Sequence, residues 1–271
     1  MRDIIRAKSC TDAWLQATVH LRRQDGWRDY NLVLEISNPL SLSDGEKRVC
    51  EELNAFLVEH GKYSISTVIN TIFPASLYVR HGATEVFRKY RTVAVSLRKH
   101  SDWAWGTYFE RMTSRVDAKG KQINPLEYLL FKLRRQAKAM APKRAAYEIS
   151  LVEAFLDIPV YEAGTDKGYH MGGPCLSHLS FKLKTDRSLL LTAVYRSHYY
   201  IERALGNFYG LALLQDFVAK ECSVKPAELV CLSTMAVVDT EKVRRSEVAN
   251  MLDRCMQLSD PPPPRTETQH K

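Results

Sequence analysis

The residues best placed to do chemistry begin at Gly172-Gly173-Pro174-Cys175. A glycine-rich turn ending in proline delivers this cysteine to the start of a predicted strand, where its sulfur can reach a cavity. A nucleophilic sulfur needs a nearby cation to favour the thiolate and a substrate anchored beside it. Arg196 closes the next predicted strand, across a hairpin, and suits both tasks. Its guanidinium can grip a phosphate at two points while its field lowers the thiol pKa. Ser197 adds a hydroxyl donor. Taken singly, each has an inert reading: a free cysteine is usually a small buried hydrophobe, and an arginine at a strand end is usually solvated.

The elements that must position these groups are legible in the hydrophobic pattern. After Cys175, Leu179, Phe181 and Leu183 point one way and His178, Ser180, Lys182 and Lys184 the other, which is strand alternation. Cys175 and His178 then fall on opposite faces, so they share no metal and no metal site is expected. Thr185-Asp186-Arg187 turns the chain into a second strand from Leu189 to Arg196. Gly206-Asn207 precedes a run from Leu211 to Ala219 that is apolar nearly all round, the mark of a buried central helix, and Leu229 to Val238 forms another strand. Upstream, Tyr30 to Ile36 is a strand stopped by Asn38-Pro39. Ser43-Asp44 caps a helix through Val49, Leu53, Phe56 and Leu57 that ends at His60-Gly61. Asn124-Pro125 opens a helix with Leu126, Leu129, Leu130, Leu133 and Ala137 on one stripe, and Tyr147, Ile149 and Leu151 alternate as a strand. Residues 84 to 111, with scattered cations and then Trp103, Trp105, Tyr108 and Phe109, declare no secondary structure. The pattern predicts an α/β fold of the α+β kind, a mixed sheet packed with helices and one pocket per subunit. A single domain is expected over residues 1–258, with a proline-rich, disordered tail over 259–271.

In this order, Pro174-Cys175, Tyr195-Arg196-Ser197, Gly206-Asn207, Ala212-Leu213-Leu214 and the strand from Leu229 resemble the thymidylate synthase and dCMP hydroxymethylase superfamily. That family has a Pro-Cys-His nucleophile turn, a Gln-Arg-Ser phosphate segment and an asparagine before its central helix. From Arg196 to Leu214 the pattern superposes without a gap, and between Cys175 and Arg196 it needs one extra residue in the hairpin. More loosely, residues 105–112, the helix from Pro125 and Lys143-Arg144 resemble the family's Tyr-Gly segment, helix and paired arginines. The resemblance covers about residues 100 to 240. It implies a Cys175 thiolate that adds to C6 of a pyrimidine nucleotide, making C5 nucleophilic toward a one-carbon unit from a reduced folate such as 5,10-methylenetetrahydrofolate. It further implies phosphate ligands at Arg196 and Ser197, an amide at Asn207 that reads the pyrimidine edge, and a homodimer in which Lys143 and Arg144 reach the neighbouring subunit's phosphate. An amide donates to a carbonyl and accepts from an N–H together, which suits a uracil-like edge.

The departures are equally specific. Leu176 follows the cysteine where the family has histidine, Tyr195 replaces the glutamine, and Tyr199 replaces an aspartate. Val237 and Asp239 stand where the family's histidine and tyrosine contact the sugar, leaving Asp239 as the candidate sugar-side ligand. Between residues 60 and 80, Asn70 offers an amide where the family keeps its proton-transferring glutamate. General acid–base help is worth about 10²–10⁴ in rate, so ordinary thymidylate synthesis is not the expectation. The expectation is methyl or hydroxymethyl transfer on an unusual substrate; the alternative is an inactive nucleotide sensor or scaffold with the same fold.

Composition bounds the rest. The 271 residues are 45% hydrophobic and 26% charged, which excludes wholesale disorder and fibrous repeats. The six cysteines form no CxxC pair, so reduced thiols are expected. No apolar run approaches the roughly 20 residues of a membrane span, and the first residues lack a signal-peptide core, so a cytoplasmic protein without a membrane partner is expected. A formal charge of +8 suits a phosphate-bearing ligand. Solvated surface accounts more economically than nucleic-acid binding for the cations at 88–99 and 132–144.

Overall fold

The computed structural model describes residues 4–97, 99, 106–116, 119–145, 147–151 and 175–259. The Gly172-Gly173-Pro174 turn, Trp103, Trp105 and the tail from 260 onward lie outside the described residues. In chain order, β1 (Ile5–Ala7) leads into α1 (Cys10–Arg22), then β2 (Arg28–Ile36) and α2 (Asp44–Glu59). Helix α2 starts where the sequence says it should. Ser43 Oγ accepts from Glu46 N at 3.2 Å, and Glu46 Oε2 accepts in return from Ser43 N at 2.7 Å. Next come α3 (Ile65–Ile72), α4 (Ala75–Leu97) and α5 (Tyr108–Thr113). The stretch that declared no structure is thus largely helical; its signal is masked by charged residues and by a break at Gly82, whose φ is 75°. A small hairpin of β3 (Arg115–Val116) and β4 (Gln122–Ile123) precedes α6 (Pro125–Ala137), capped by Asn124 Oδ1 accepting from Glu127 N at 3.0 Å.

The remaining elements build the sheet and its buried helix: β5 (Tyr147–Ser150), β6 (Leu176–Leu183), β7 (Leu189–Tyr195), β8 (His198–Tyr199), a π-helical turn over Tyr200–Ala204, α7 (Leu205–Glu221), β9 (Pro226–Val237) and α8 (Arg245–Leu258). The seven-stranded sheet runs β1-β2-β9-β7-β6-β5, with β8 beside β9. It is mixed: β9 is parallel to β7 and antiparallel to β2, while β6 is antiparallel to both β7 and β5. Register explains which side chains form the core. Leu34, Cys231, Ala193, Leu179 and Ile149 line up across five strands, as do Leu32, Ser233, Tyr195 and Leu176, and these rows are buried. One residue along, Val33, Leu232, Val194 and His178 form a row on the opposite face that is only half-buried.

Helix α7 runs against the buried face. The Gln215 amide ties it to the sheet by donating to the carbonyls of Leu189 at 2.8 Å, Glu228 at 3.0 Å and Ala227 at 3.1 Å. Gly206 and Asn207 do not precede this helix; they lie within its first turn, fed directly by the π-helical turn. The reason is packing against α3. A Cβ added at Gly206 would meet Val68 Cβ at 2.6 Å, and one at Gly210 would meet Ile72 Cβ at 2.9 Å, so both glycines set a close helix contact. Gly206→Ala should therefore destabilise the protein by about 1–3 kcal/mol despite alanine's better helix propensity. Chemical denaturation should find that adding Val68→Ala costs less in the Gly206→Ala background than in the parent. Equal costs would contradict the contact.

Candidate active site

Cys175 sits half-buried immediately before β6, and the strand beyond it explains how it is held. Its carbonyl accepts from Arg196 N at 2.9 Å, joining the start of β6 to the end of β7. The next amide, Leu176 N, points to the Tyr108 hydroxyl at 3.5 Å, which brings α5 against the same turn. Thr234 Oγ1 on β9 lies 2.8 Å from the Arg196 carbonyl and 3.2 Å from that of Tyr195. The Arg196 backbone is thus pinned from two sides. Its exposed side chain hydrogen-bonds the Cys175 thiol. Burial pushes that thiol up from its ordinary pKa, while the Arg196 and Arg203 guanidinium groups pull it down. The groups meant to converge do so at Cys175 and Arg196. Ser197 is half-buried in the link between β7 and β8.

Below this pair lies a polar network. Asn207 is buried, and its Nδ2 donates to His198 Nε2 at 3.0 Å. His198 is neutral, since burial pushes its pKa down to about 3, so its Nδ1–H is the donor to Ser233 Oγ at 3.0 Å. Ser233 in turn is 3.2 Å from the Tyr200 hydroxyl. The His198 ring stacks on Tyr195, with centroids 3.9 Å apart and planes at 7°. The Tyr195 hydroxyl itself is buried and finds no hydrogen-bond partner among the described residues. Asn207 is therefore an oriented amide, fixed from behind by His198.

Asp239 ends up doing something other than facing a sugar. Its two carboxylate oxygens accept from Ile201 N at 2.8 Å and Glu202 N at 3.2 Å, so they hold the π-helical turn. Burial pushes its pKa up to about 6 in spite of those bonds. Lys143 and Arg144 are not brought to Cys175. Strand β5 pairs Tyr147 with Phe181 and Ser150 with His178, so residues before 147 lie toward the Leu183 end of β6. Both are exposed there. Asn70 lies in α3 and lines a cavity of about 380 Å³ with Leu77, Tyr90, Val93 and Thr107. Sequence reasoning missed Arg203 and the orienting role of His198. The available signal was a cation and a histidine flanking the Tyr199-Tyr200 aromatic pair, just before Gly206.

His198 and Asp239 carry opposite pH dependences. The folded protein keeps His198 unprotonated down to about pH 3 while the unfolded chain protonates it near 6.5, so stability falls as pH drops through that window. Asp239 keeps a proton up to about pH 6 that the unfolded chain releases near 3.8, so its contribution rises as pH drops. Between about pH 4 and 6 the two offset each other. His198→Gln removes one arm. Urea denaturation should show the variant's stability relative to the parent growing by about 1.4 kcal/mol per unit as pH falls from 6 to 4, and a constant difference would contradict a buried neutral His198.

No protein-family profile matches the chain. It is 23% identical over 235 residues to a Methanosarcina mazei protein named "Putative thymidylate synthase", a match that covers 87% of this chain and 88% of that one. Among solved structures it is similar to thymidylate synthase from T4 phage, with a TM-score of 0.45 and 16% identity over 88% of this chain and 73% of that chain. The sequence similarity runs well beyond residues 100 to 240, and the chain is a divergent thymidylate-synthase-like protein of mixed α/β fold.

Proposed function

We propose that this protein acts at C5 of a pyrimidine nucleotide or related base, with Cys175 as nucleophile and methyl or hydroxymethyl transfer as the outcome. The observation that carries the reading is the Arg196 hydrogen bond to the Cys175 thiol, beside an amide at Asn207 oriented by His198. In this reading the Cys175 sulfur forms a bond to ring C6, and the electron pair of the C5–C6 double bond moves to C5. Asn207 reads the ring edge, Arg196 and Ser197 hold the phosphate, and Asp239 keeps the turn between β8 and α7 in place. After substitution at C5, loss of the C5 proton to water and departure of the thiolate restore the ring.

The one-carbon unit comes from a reduced folate. The Asn70 cavity, apolar apart from its amide and hydroxyls, suits a flat heterocycle, with Tyr90 and Leu77 as walls. When bound, the folate supplies the carbon that C5 captures. With an amide at Asn70 in place of a carboxylate, proton transfer falls to water or to a group yet to be identified, and turnover is slow.

We place the partner copy of a homodimer on the half-buried sheet face of Val33, Leu232 and Val194. Lys143 and Arg144 serve the neighbouring subunit's phosphate, and the reaction takes place in the cytoplasm. Burial favours the protonated thiol, and this supports a second reading, a nucleotide-binding protein without turnover.

Incubation with dUMP, UMP, dCMP and CMP tritiated at C5, with and without a reduced folate, should release tritium to water from at least one. Cys175→Ala should bring release down to background; equal release by the variant would contradict the catalytic reading. If the parent binds a nucleotide by calorimetry yet releases no tritium, the sensor reading holds, and Arg196→Ala should then cost about 1.5–3 kcal/mol of binding.

A further inference from the structure

Arg203 answers to none of the roles assigned so far. It lies half-buried on the π-helical turn between β8 and α7, with its guanidinium over the Tyr63 ring, 5.1 Å from the centroid. The acid beside it in the chain, Glu202, is taken by Lys62. Asp239 spends its carboxylate on the backbone of the same turn. Among the described residues, neither Arg203 nor Arg196 forms an ion pair with a carboxylate. Both guanidinium groups nevertheless act on one thiol. Arg196 hydrogen-bonds Cys175, and Arg203 is near enough for its charge to favour ionisation of both Cys175 and the Tyr108 hydroxyl behind it.

Two cations without counter-charges, held around a partly buried thiol, repel each other and focus a positive potential into the space between them. The stack on Tyr63 fixes the guanidinium plane of Arg203, so its fork of N–H donors is set before any ligand arrives. A fork matches oxygens arranged in a plane and accepts two at once. A carboxylate offers two oxygens and one charge, which Arg196 alone can satisfy. A phosphate monoester offers three terminal oxygens and close to two charges at neutral pH, enough for two forks.

We propose that Arg203 and Arg196 together form one anion site beside Cys175, built for a phosphate monoester dianion. The proposal deepens the pyrimidine nucleotide reading and rests on it for the ring that the phosphate carries. Arg203 holds the anion in place next to the sulfur and is a binding residue; Tyr63 and Asp239 position it.

Inorganic phosphate is the probe, read through the rate at which iodoacetamide labels Cys175, followed by peptide mass spectrometry. In the parent, phosphate should slow labelling saturably, and chloride at matched ionic strength should not. Arg203→Gln should raise the phosphate concentration for half-protection about tenfold or more, as expected for loss of one charge-assisted contact. Arg203→Lys, which keeps the charge without the fork, should recover part of it. Half-protection is independent of the labelling rate, so a change in thiol pKa alone does not move it. The proposal is overturned if Arg203→Gln is protected at the parent's phosphate concentration, or if phosphate does no more than chloride. If protection depends on Arg203 but uridine and cytidine 5′-monophosphates protect no better than phosphate, the pyrimidine reading fails while the anion site stands.

Discussion

A thiol moved out of water resists ionisation, and in this protein that cost is set against two guanidinium groups delivered from one short stretch of chain. Arg196 ends β7 and Arg203 belongs to the π-helical turn, yet both act on a sulfur at the start of β6. The arrangement depends on main-chain contacts more than on the side chains themselves. The Arg196 amide bonds the Cys175 carbonyl, Thr234 reaches the Arg196 carbonyl, and Asp239 clamps the turn beyond. Strand β9 supplies or borders two of these three restraints, so the central strand of the sheet carries the geometry of the thiol.

Beneath the charged layer the protein has buried polar groups instead of apolar ones. Asn207, His198, Ser233 and Tyr200 are mutually bonded and sealed between the sheet and α7. A buried polar chain costs stability wherever one member is left unsatisfied, so such networks hold their members in one orientation. Here the member nearest the thiol is an amide, and the histidine behind it, stacked flat on Tyr195, stays neutral. Tyr195 and His198 stand close to positions where the sequence departs from the thymidylate synthase pattern. The departures are thus concentrated in the layer that orients Asn207, while Cys175 and Arg196 are retained.

Much of this was legible in the sequence, for identifiable reasons. Strands β6 and β7 show period-two alternation because one face of the sheet is buried and the other half-exposed. Helices α2 and α6 announce themselves through capping residues that bond as their types predict. The buried character of α7 was plain, but its start was not. A π-helical turn leaves no spacing signature, and Gly206 reads as a helix stop when its role is to let α3 approach. Helix α4 was hidden because its apolar residues are outnumbered by charged ones and Gly82 interrupts it. Arg203 was invisible for a different reason. A single cation amid polar neighbours looks solvated until the fold shows where it is carried, just as Asp239 looked like a ligand until its bonds to the turn were seen.

The central claim is spatial: one sulfur, two guanidinium groups and one oriented amide surround a single phosphorylated ring. A crystal structure of the protein with a bound pyrimidine nucleoside monophosphate tests it most directly. The account predicts ring C6 against Cys175 Sγ, the ring edge on Asn207 and the phosphate between Arg196 and Arg203. Nucleotide bound elsewhere, or bound here with its phosphate turned away from both arginines, would contradict it.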